Sequence, residues 1–269
     1  MHPIITSLQN PKIKQILSLE KPRERRKQNL FVIEGAKELV LAQYGGYTID
    51  SVFFCPTIIA PSEVLAIVKN EHLLVPVDEN VFSKIAYRES TGGVIALAEQ
   101  KHHALSAIKL GTSPLLLVLE SVEKPGNLGA VLRTADAAGI DAVIICDPLV
   151  DFYNPNVIRS SVGCVFTNQL ASASTEDTIH WLSENGIQIY CTYLKASRPY
   201  HEVDYTQPCA LVMGTESSGL SERWTNHATQ NIIIPMQGKI DSLNVSTAAA
   251  IVVFEASRQR GFGSLSNQN

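Results

Sequence analysis

Three segments in the second half of the chain combine glycine with polar residues, and each of them directly follows an apolar run. They cover residues 120–135, 214–220 and 234–248. Short apolar runs of this kind indicate buried strands, and the loops at the carboxyl ends of parallel strands form the ligand-binding edge of open α/β sheets. We therefore expect the three segments to build one ligand site.

The first segment carries an arginine on a helix. We expect Asn127 to cap this helix and Gly139 to end it. Arg133 then lies among Ala and Leu residues, on a face that should be largely buried. A buried arginine needs a partner, so two roles stay open for Arg133, a structural ion pair and a functional group.

The second and third segments supply glycines, a carboxylate, hydroxyls and amides. Gly214 and Gly219 allow the backbone to approach a ligand closely, and Glu216 lies between them. In the third segment, Ser242 and Asn244 precede a long helix whose first turn has free N–H groups. Either of these two residues also fits the role of an ordinary N-cap.

Several common enzyme classes lack their motifs in this chain. Neither the dinucleotide-binding GxGxxG nor the phosphate-binding GxxxxGK[ST] is present. The GxSxG of hydrolases and the HExxH of zinc proteases are also absent. What remains is a ligand site of a different kind, built from glycine loops, one arginine, one glutamate and several hydroxyl and amide groups.

The elements that position these groups read as an α/β domain over residues 114–269. Apolar runs predict a mostly parallel sheet, with strands at Leu115–Leu119, Ala142–Cys146, Gln188–Thr192, Ala210–Met213 and Asn231–Ile234. The stretch from 101 to 113 is polar and reads as a linker. Its paired histidines have no second pair at metal-binding spacing, so we expect no metal.

Residues 1–100 alternate short helices and strands and predict a smaller α/β domain. Its residues 10–30 form a basic arm: residues 1–30 hold seven cations and two anions, a net charge of +5, which leaves −9 for the rest. Such an arm fits contact with nucleic-acid phosphates, and a solvated helix face is equally compatible. The candidate phosphate contacts are Lys12, Lys14, Arg23, Arg25, Arg26 and Lys27.

The composition places the chain among soluble globular proteins. It has 269 residues, of which 45% are hydrophobic and 18% charged. No apolar run approaches the length of a membrane span, and the start of the chain does not resemble a secretory signal. Five cysteines without a CxxC pair indicate reduced core thiols. We therefore expect a cytoplasmic protein that is not bound to a membrane.

Together, the three segments resemble the three signature motifs of the SpoU group of RNA 2′-O-methyltransferases, within the SPOUT superfamily. The matching residues are Asn127, Gly129, Arg133, Thr134 and Ala135, then Gly214, Glu216 and Gly219, then Pro235, Gly238, Ser242–Ser246 and Ala248. The first domain is similar to the family's substrate-binding extension, which has a ribosomal-protein-like α/β fold. Its matching pieces are less specific and lie at residues 10–14, 31–35 and 92–96.

The resemblance implies a fold and an activity that periodicity alone does not give. The C-terminal domain would be tied in a trefoil knot, although true knots are nearly absent from proteins. It would bind S-adenosylmethionine in a bent conformation and form a homodimer with the cofactor site near the interface. The reaction would be methyl transfer to a ribose 2′-hydroxyl of RNA.

The resemblance also assigns roles to individual residues. The cofactor would be held by Thr192, Gly214, Ile234, Met236 and Leu243, and the catalytic cluster would be Asn127, Arg133, Glu216, Ser242 and Asn244. A guanidinium keeps its charge at neutral pH. We therefore expect Arg133 to bind the substrate phosphate or the developing alkoxide and to leave the proton to another group or to water.

Alternatives remain at two levels. The basic arm favours ribosomal RNA as the substrate, and transfer RNA is the second possibility because family members with either substrate share these motifs. From other classes, a noncatalytic RNA-binding assembly factor and a small-molecule α/β enzyme also stay open. Binding of S-adenosylmethionine together with methyl transfer to RNA would separate the methyltransferase from both.

Overall fold

The computed structural model describes residues 2–86, 92–195, 197–215 and 219–262. The chain forms two compact units. The first contains Met1–His102 together with Asp151–Thr167, and the second contains His103–Val150 together with Asn168–Asn269. The chain thus leaves the second unit after residue 150 and returns to it at residue 168, which the sequence patterns did not predict.

The first unit is a small α/β fold around a four-stranded sheet. The strands lie in the order β1-β4-β2-β3, and β4 is antiparallel to both of its neighbours. Phe53, Ile95 and Leu97 lie in its buried core. Its elements are α1 (Pro11–Ser18), α2 (Pro22–Gln28), β1 (Leu30–Glu34), α3 (Ala36–Tyr44), β2 (Ile49–Phe54), α4 (Pro61–Val68), β3 (Leu74–Pro76), α5 (Glu79–Ile85) and β4 (Val94–Glu99).

An aromatic cluster joins the segment at residues 151–167 to the rest of the first unit. The ring of Phe31, on β1, stacks on Tyr153 with 4.2 Å between centroids and on Phe166 with 5.8 Å. Tyr47 meets Phe166 edge to face at 5.2 Å. Large aromatic surfaces buried in this way dominate local packing energy, so the segment is an integral part of this core.

The described residues of the second unit form a seven-stranded sheet in which every pairing is parallel. The order is β7-β6-β5-β10-β8-β11-β9. The strands are β5 (Leu115–Glu120), β6 (Ala142–Cys146), β7 (Leu170–Ala173), β8 (Gln188–Thr192), β9 (Arg198–Pro199), β10 (Cys209–Met213) and β11 (Gln230–Ile233). The helices are α6 (Pro125–Ala138), α8 (Thr175–Glu184), α9 (Glu222–His227) and α10 (Val245–Gln259), while α7 (Pro155–Ser160) belongs to the first unit.

Apart from Glu120 at the end of β5, the central strands are apolar because both faces of the sheet are covered. Every residue of β5, β6 and β10 is buried, as expected for parallel strands with helices on each side. One face packs Val118, Ile144 and Val212 against Leu182 and Trp224. On another side, α10 packs against α6. The prediction of an α/β fold with a mostly parallel sheet is confirmed.

The start of α6 differs from the prediction. The helix begins at Pro125 with Lys124 as its N-cap, so Asn127 is the third helical residue and does not cap it. Proline is favoured at the first helical position because its φ is fixed near the helical value. The proline signal thus outweighs the capping preference of the asparagine. At the other end Gly139 stops the helix at φ +68°, as predicted.

All five cysteines lie in the described part and are free thiols, with Cys164 half-buried and the other four buried. Burial raises the pKa of Cys146 and Cys191 to about 12. These groups are therefore neutral core side chains. No helix among the described residues is long and apolar enough to cross a membrane.

Candidate active site

Two adjoining cavities open at the carboxyl-terminal edge of the seven-stranded sheet. The larger has a volume of about 520 Å³ and the smaller about 260 Å³. Gly214, Thr215 and Val245 line both of them. Two ligands bound in these cavities would meet at these three residues.

The larger cavity lies beyond the ends of β8, β10 and β11 and reaches the first turns of α10. All five residues predicted to hold the cofactor line it. Ser242 and the side chains of Val252 and Ala248 complete part of its wall. The structure therefore brings these residues to one cavity from separate places in the chain: Thr192, Gly214, Ile234, Met236 and Leu243.

The glycine segment after β10 makes a tight turn at this edge. A Cβ at position 214 would lie 2.3 Å from the carbonyl carbon of Gly219 and 2.4 Å from the nitrogen of Leu220. The turn is closed by two backbone hydrogen bonds between Thr215 and Gly219, of 3.1 and 3.2 Å. Gly214 is thus required by the close approach of two backbone segments. Glu216, predicted to be catalytic, lies outside the described residues.

The side chain of Asn244 caps α10 and also contacts a residue of the smaller cavity. Its Oδ1 accepts a hydrogen bond of 2.9 Å from the backbone N–H of Ser246 and so caps α10. Its Nδ2 donates to Oδ1 of Asn127, at 3.2 Å, and Asn127 lines the smaller cavity. Asn244 is thus the N-cap of α10, and its site role remains a prediction.

Arg133 is exposed, which corrects the prediction of a largely buried position. Its helix buries Leu128, Val131, Leu132 and Ala135, and this spacing of three and four residues marks one stripe. Arg133 falls outside the stripe. It also lies outside both cavity linings.

Sequence reasoning missed several residues of the site. Thr215 and Val245 line both cavities, and Glu120 and Lys124 line the smaller one. Glu120 ends β5 and is only 8% exposed. A signal for it was available, because a glutamate that directly follows five apolar strand residues is placed at the same ligand-binding edge as the three segments.

The basic arm forms α1, α2 and their connection in the first unit. Lys12, Lys14, Arg23, Arg26 and Lys27 are all exposed there. Exposed cations on two neighbouring helices remain available to phosphates. These five residues therefore remain candidates for contact with RNA phosphates.

The structure corrects the prediction that Arg25 contacts phosphates, because its side chain is buried and bonded within the protein. It is 1% exposed, and its Nη1 donates to the carbonyls of Leu19 and Glu20, each at 2.8 Å. Its Nη2 pairs with Asp151 at 2.5 Å. The partner lies 126 residues away in sequence, so charge patterning within the arm does not reveal it. Arg25 is a structural residue of the first unit.

The described residues contain no group of three or more His, Cys, Asp or Glu side chains placed to hold a metal ion. The site offers instead backbone groups, hydroxyls and amides around two cavities.

Family models match most of the chain. The SpoU rRNA Methylase family model matches residues 114–254, and the MRM3-like substrate binding domain model matches residues 10–96. The chain belongs to the SpoU rRNA methylase family.

Relatives and solved structures agree with this assignment. A 23S rRNA (guanosine(2553)-2′-O)-methyltransferase of Bacillus subtilis is 30% identical over 93% of this chain and 97% of its own. The AdoMet-bound rRNA methyltransferase of Sinorhizobium meliloti superposes with a TM-score of 0.87 at 34% identity, over 95% of this chain and 97% of that one. A tRNA (guanosine(18)-2′-O)-methyltransferase of Thermus thermophilus is 39% identical over 54% of this chain and 75% of its own.

Proposed function

We propose that this protein transfers a methyl group from S-adenosylmethionine to a ribose 2′-hydroxyl of RNA, and that the RNA is ribosomal. The observation that carries the proposal is the pair of cavities that adjoin at Gly214, Thr215 and Val245. A group-transfer enzyme has to hold donor and acceptor side by side in a fixed orientation. The family membership supports the same reaction.

The larger cavity fits the cofactor. Its volume of about 520 Å³ lies in the range of small-molecule sites, and Gly214 leaves the backbone open where any Cβ would clash. Apolar side chains, among them Ile234, Met236 and Leu243, suit the flat adenine surface. When bound there, S-adenosylmethionine supplies a methyl group already activated by its sulfonium. The S. meliloti relative has been solved with this cofactor bound, which supports the assignment.

The smaller cavity is assigned to the target ribose. Asn127 and Asn244 are already linked by a hydrogen bond, which fixes both amides for contact with the sugar. Lys124 lies at the mouth as a cation for the flanking phosphate. Ser242 faces the cofactor side. Arg133 would bind the phosphate or the developing alkoxide as a charged group, and Glu216 would orient neighbouring donors.

We assign the domain roles by the boundaries predicted from sequence, with the difference that residues 151–167 pack in the first unit. Residues 1–100 would bind the RNA, residues 101–113 would link, and residues 114–269 would carry out methyl transfer. The exposed cations of α1 and α2 and the match to a substrate binding domain support this division. The B. subtilis relative, named for ribosomal RNA, is similar over nearly the whole of this chain. A ribosomal RNA substrate also supports a cytoplasmic location.

We further infer a trefoil knot and a homodimer through the C-terminal domain, as the resemblance implies. Support for the dimer comes from α10, which lines the cofactor cavity with its first turns and leaves Phe254 42% exposed further along. A dimer that covers α10 would bring Arg133 of the neighbouring helix α6 close to a partner copy. Light scattering should give twice the chain mass, and Phe254→Asp should reduce it to a monomer.

The test is methyl transfer from labelled S-adenosylmethionine to ribosomal RNA and, separately, to bulk transfer RNA. We expect label in ribosomal RNA at a linkage that resists alkaline cleavage, since a methylated 2′-oxygen cannot attack the neighbouring phosphate. Label in transfer RNA alone would keep the reaction and overturn the substrate, an outcome that the similarity to the Thermus tRNA enzyme makes worth testing. Failure to bind S-adenosylmethionine would overturn the reaction.

A further inference from the structure

Glu120 is a buried carboxylate that ends β5 and lines the smaller cavity. Its Oε2 accepts a hydrogen bond of 2.8 Å from the backbone N–H of Ser221, and its Oε1 accepts one of 2.6 Å from the hydroxyl of the same residue. A buried charge is costly unless it is hydrogen-bonded, and bonds to an ionised acceptor are strong. Glu120 and Ser221 are therefore held firmly together.

The hydroxyl of Thr175 contributes less to this carboxylate. It lies 3.3 Å from Oε1 of Glu120 and 2.8 Å from Oδ2 of Asp147. A hydroxyl has one proton to donate, and the shorter contact with Asp147 takes it. Glu120 thus depends on Ser221 for its donors.

Ser221 gives up an ordinary helical role for this contact. It is the N-cap residue of α9, where a serine hydroxyl usually accepts a hydrogen bond from the helix. Here the side chain makes no capping bond, because it donates to Glu120 instead. The local preference of α9 is thus overridden by the contact across the sheet edge.

The contact fixes the far end of the glycine turn. The turn starts at Gly214, directly after β10, whose Met213 pairs with Leu119 of β5. It ends at Leu220, directly before Ser221. The sheet therefore holds one end of the turn next to β5. Glu120, the last residue of β5, holds the other end through its hydrogen bonds to Ser221. Between these anchors, Gly214 and Thr215 line both cavities.

We propose that Glu120 is a positioning residue that acts through Ser221 to hold the glycine turn in the conformation that binds S-adenosylmethionine. This rests on the proposed function. The charge of the carboxylate is needed as well as its shape, because it accepts on both oxygens at once. A glutamine in its place keeps the shape but offers one acceptor oxygen.

The test is the Glu120→Gln variant, measured by calorimetric titration with S-adenosylmethionine and by thermal unfolding. We expect the Kd for S-adenosylmethionine to rise about tenfold. Asp141→Asn is the matched control. Asp141 accepts a 2.7 Å hydrogen bond from the N–H of Leu115 at the opposite end of β5, so its loss should lower the Tm and leave the cofactor Kd unchanged.

A structural role alone predicts a different result, in which both variants lower the Tm and neither changes the cofactor Kd. That result would overturn the proposal. If Glu120→Gln does not fold, Ser221→Ala replaces it, since it removes the hydroxyl and keeps the backbone donor. It should raise the Kd two- to fivefold, and an unchanged Kd would again overturn the inference. A wild-type protein that does not bind S-adenosylmethionine would instead refute the proposed function.

Discussion

The two compact units present their polar residues in opposite ways. In the second unit, the residues assigned to the cofactor and the ribose come from strand ends and tight turns, and they surround cavities. In the first unit, the residues assigned to RNA are exposed cations on two short helices. A site built from turns depends on each backbone position, whereas a charged surface sums many weak and interchangeable contacts. Single substitutions should therefore have large effects in one unit and small effects in the other.

Arg133 is the sharpest test of this contrast, because it is exposed like the arm cations and yet assigned to catalysis. We expect Arg133→Lys to lower kcat about 100-fold, since a lysine keeps the charge and loses the planar pair of donors. The Kd for S-adenosylmethionine should not change. The measurement is single-turnover methyl transfer on saturating RNA.

The opposite result is equally informative. Near-normal turnover of Arg133→Lys would contradict a two-pronged contact with the substrate. A few-fold loss confined to RNA affinity would group Arg133 with the arm cations, and the contrast between the units would then follow exposure alone.

Gly214→Ala should weaken binding of S-adenosylmethionine about 10- to 100-fold. The added methyl would lie 2.3 to 2.6 Å from backbone atoms of Gly219 and Leu220, and overpacking of this kind costs about 1–3 kcal/mol. The control is Gly111→Ala, where a Cβ meets nothing within 4 Å. Calorimetric titration gives both values, and equal affinity of the two variants would mean that the turn is not part of the cofactor site.

Arg25 and Arg26 are adjacent in the arm and should behave differently. Arg25→Ala should lower the free energy of unfolding by about 2–3 kcal/mol, because it removes three buried donors and leaves Asp151 without its partner. Arg26→Ala should leave stability unchanged, weaken RNA binding a few-fold and reduce the salt dependence of binding by about one ion. Urea unfolding and RNA titration at several salt concentrations measure the pair. Equal stability of the two variants would contradict the buried role of Arg25.

The alkaline limit of stability should come from buried thiols of the second unit. In the unfolded chain a thiol loses its proton near pH 9, whereas burial raises the pKa of Cys191 to about 12. The unfolded state therefore gains charge first, and stability falls as pH rises from about 9 to 12. When the pH is raised from 8 to 10, the free energy of unfolding of Cys191→Ala should fall by about 1 kcal/mol less than that of the wild type. Cys164→Ala, at a half-buried position, is the control and should follow the wild type.

The sequence predicted elements well where the pattern was local. The apolar runs of β5, β6, β8 and β10 and the glycine that ends α6 were all visible, because burial on both faces and a left-handed cap leave direct marks on residue type. The five cofactor candidates reached one cavity as well, since loops after parallel strands share an edge.

Prediction failed where the deciding partner was distant in the chain. Arg25 could not be distinguished from the neighbouring cations in sequence, because its partner Asp151 lies in the other half of the chain. Arg133 was placed on a buried face, although the apolar stripe at 128, 131, 132 and 135 already excluded it. The partner of Glu120 was equally hidden, because its donors come from Ser221, 101 residues later. The contacts of Arg25 and Glu120 do not follow from propensity or periodicity, whereas the exposure of Arg133 could have been inferred from the helical period.

The return of residues 151–167 to the first unit has a consequence for how the protein can be divided. If the chain were cut near residue 102, the C-terminal fragment would lose partners of residues 151–167. Tyr153 and Phe166 would lose their contact with Phe31, and Asp151 would lose Arg25. Such a fragment would expose the apolar side chains of residues 151–167, between β6 and β7, and would aggregate. The two halves are therefore not interchangeable modules. A chimera that exchanges the RNA-binding half also has to exchange residues 151–167, which pack against it.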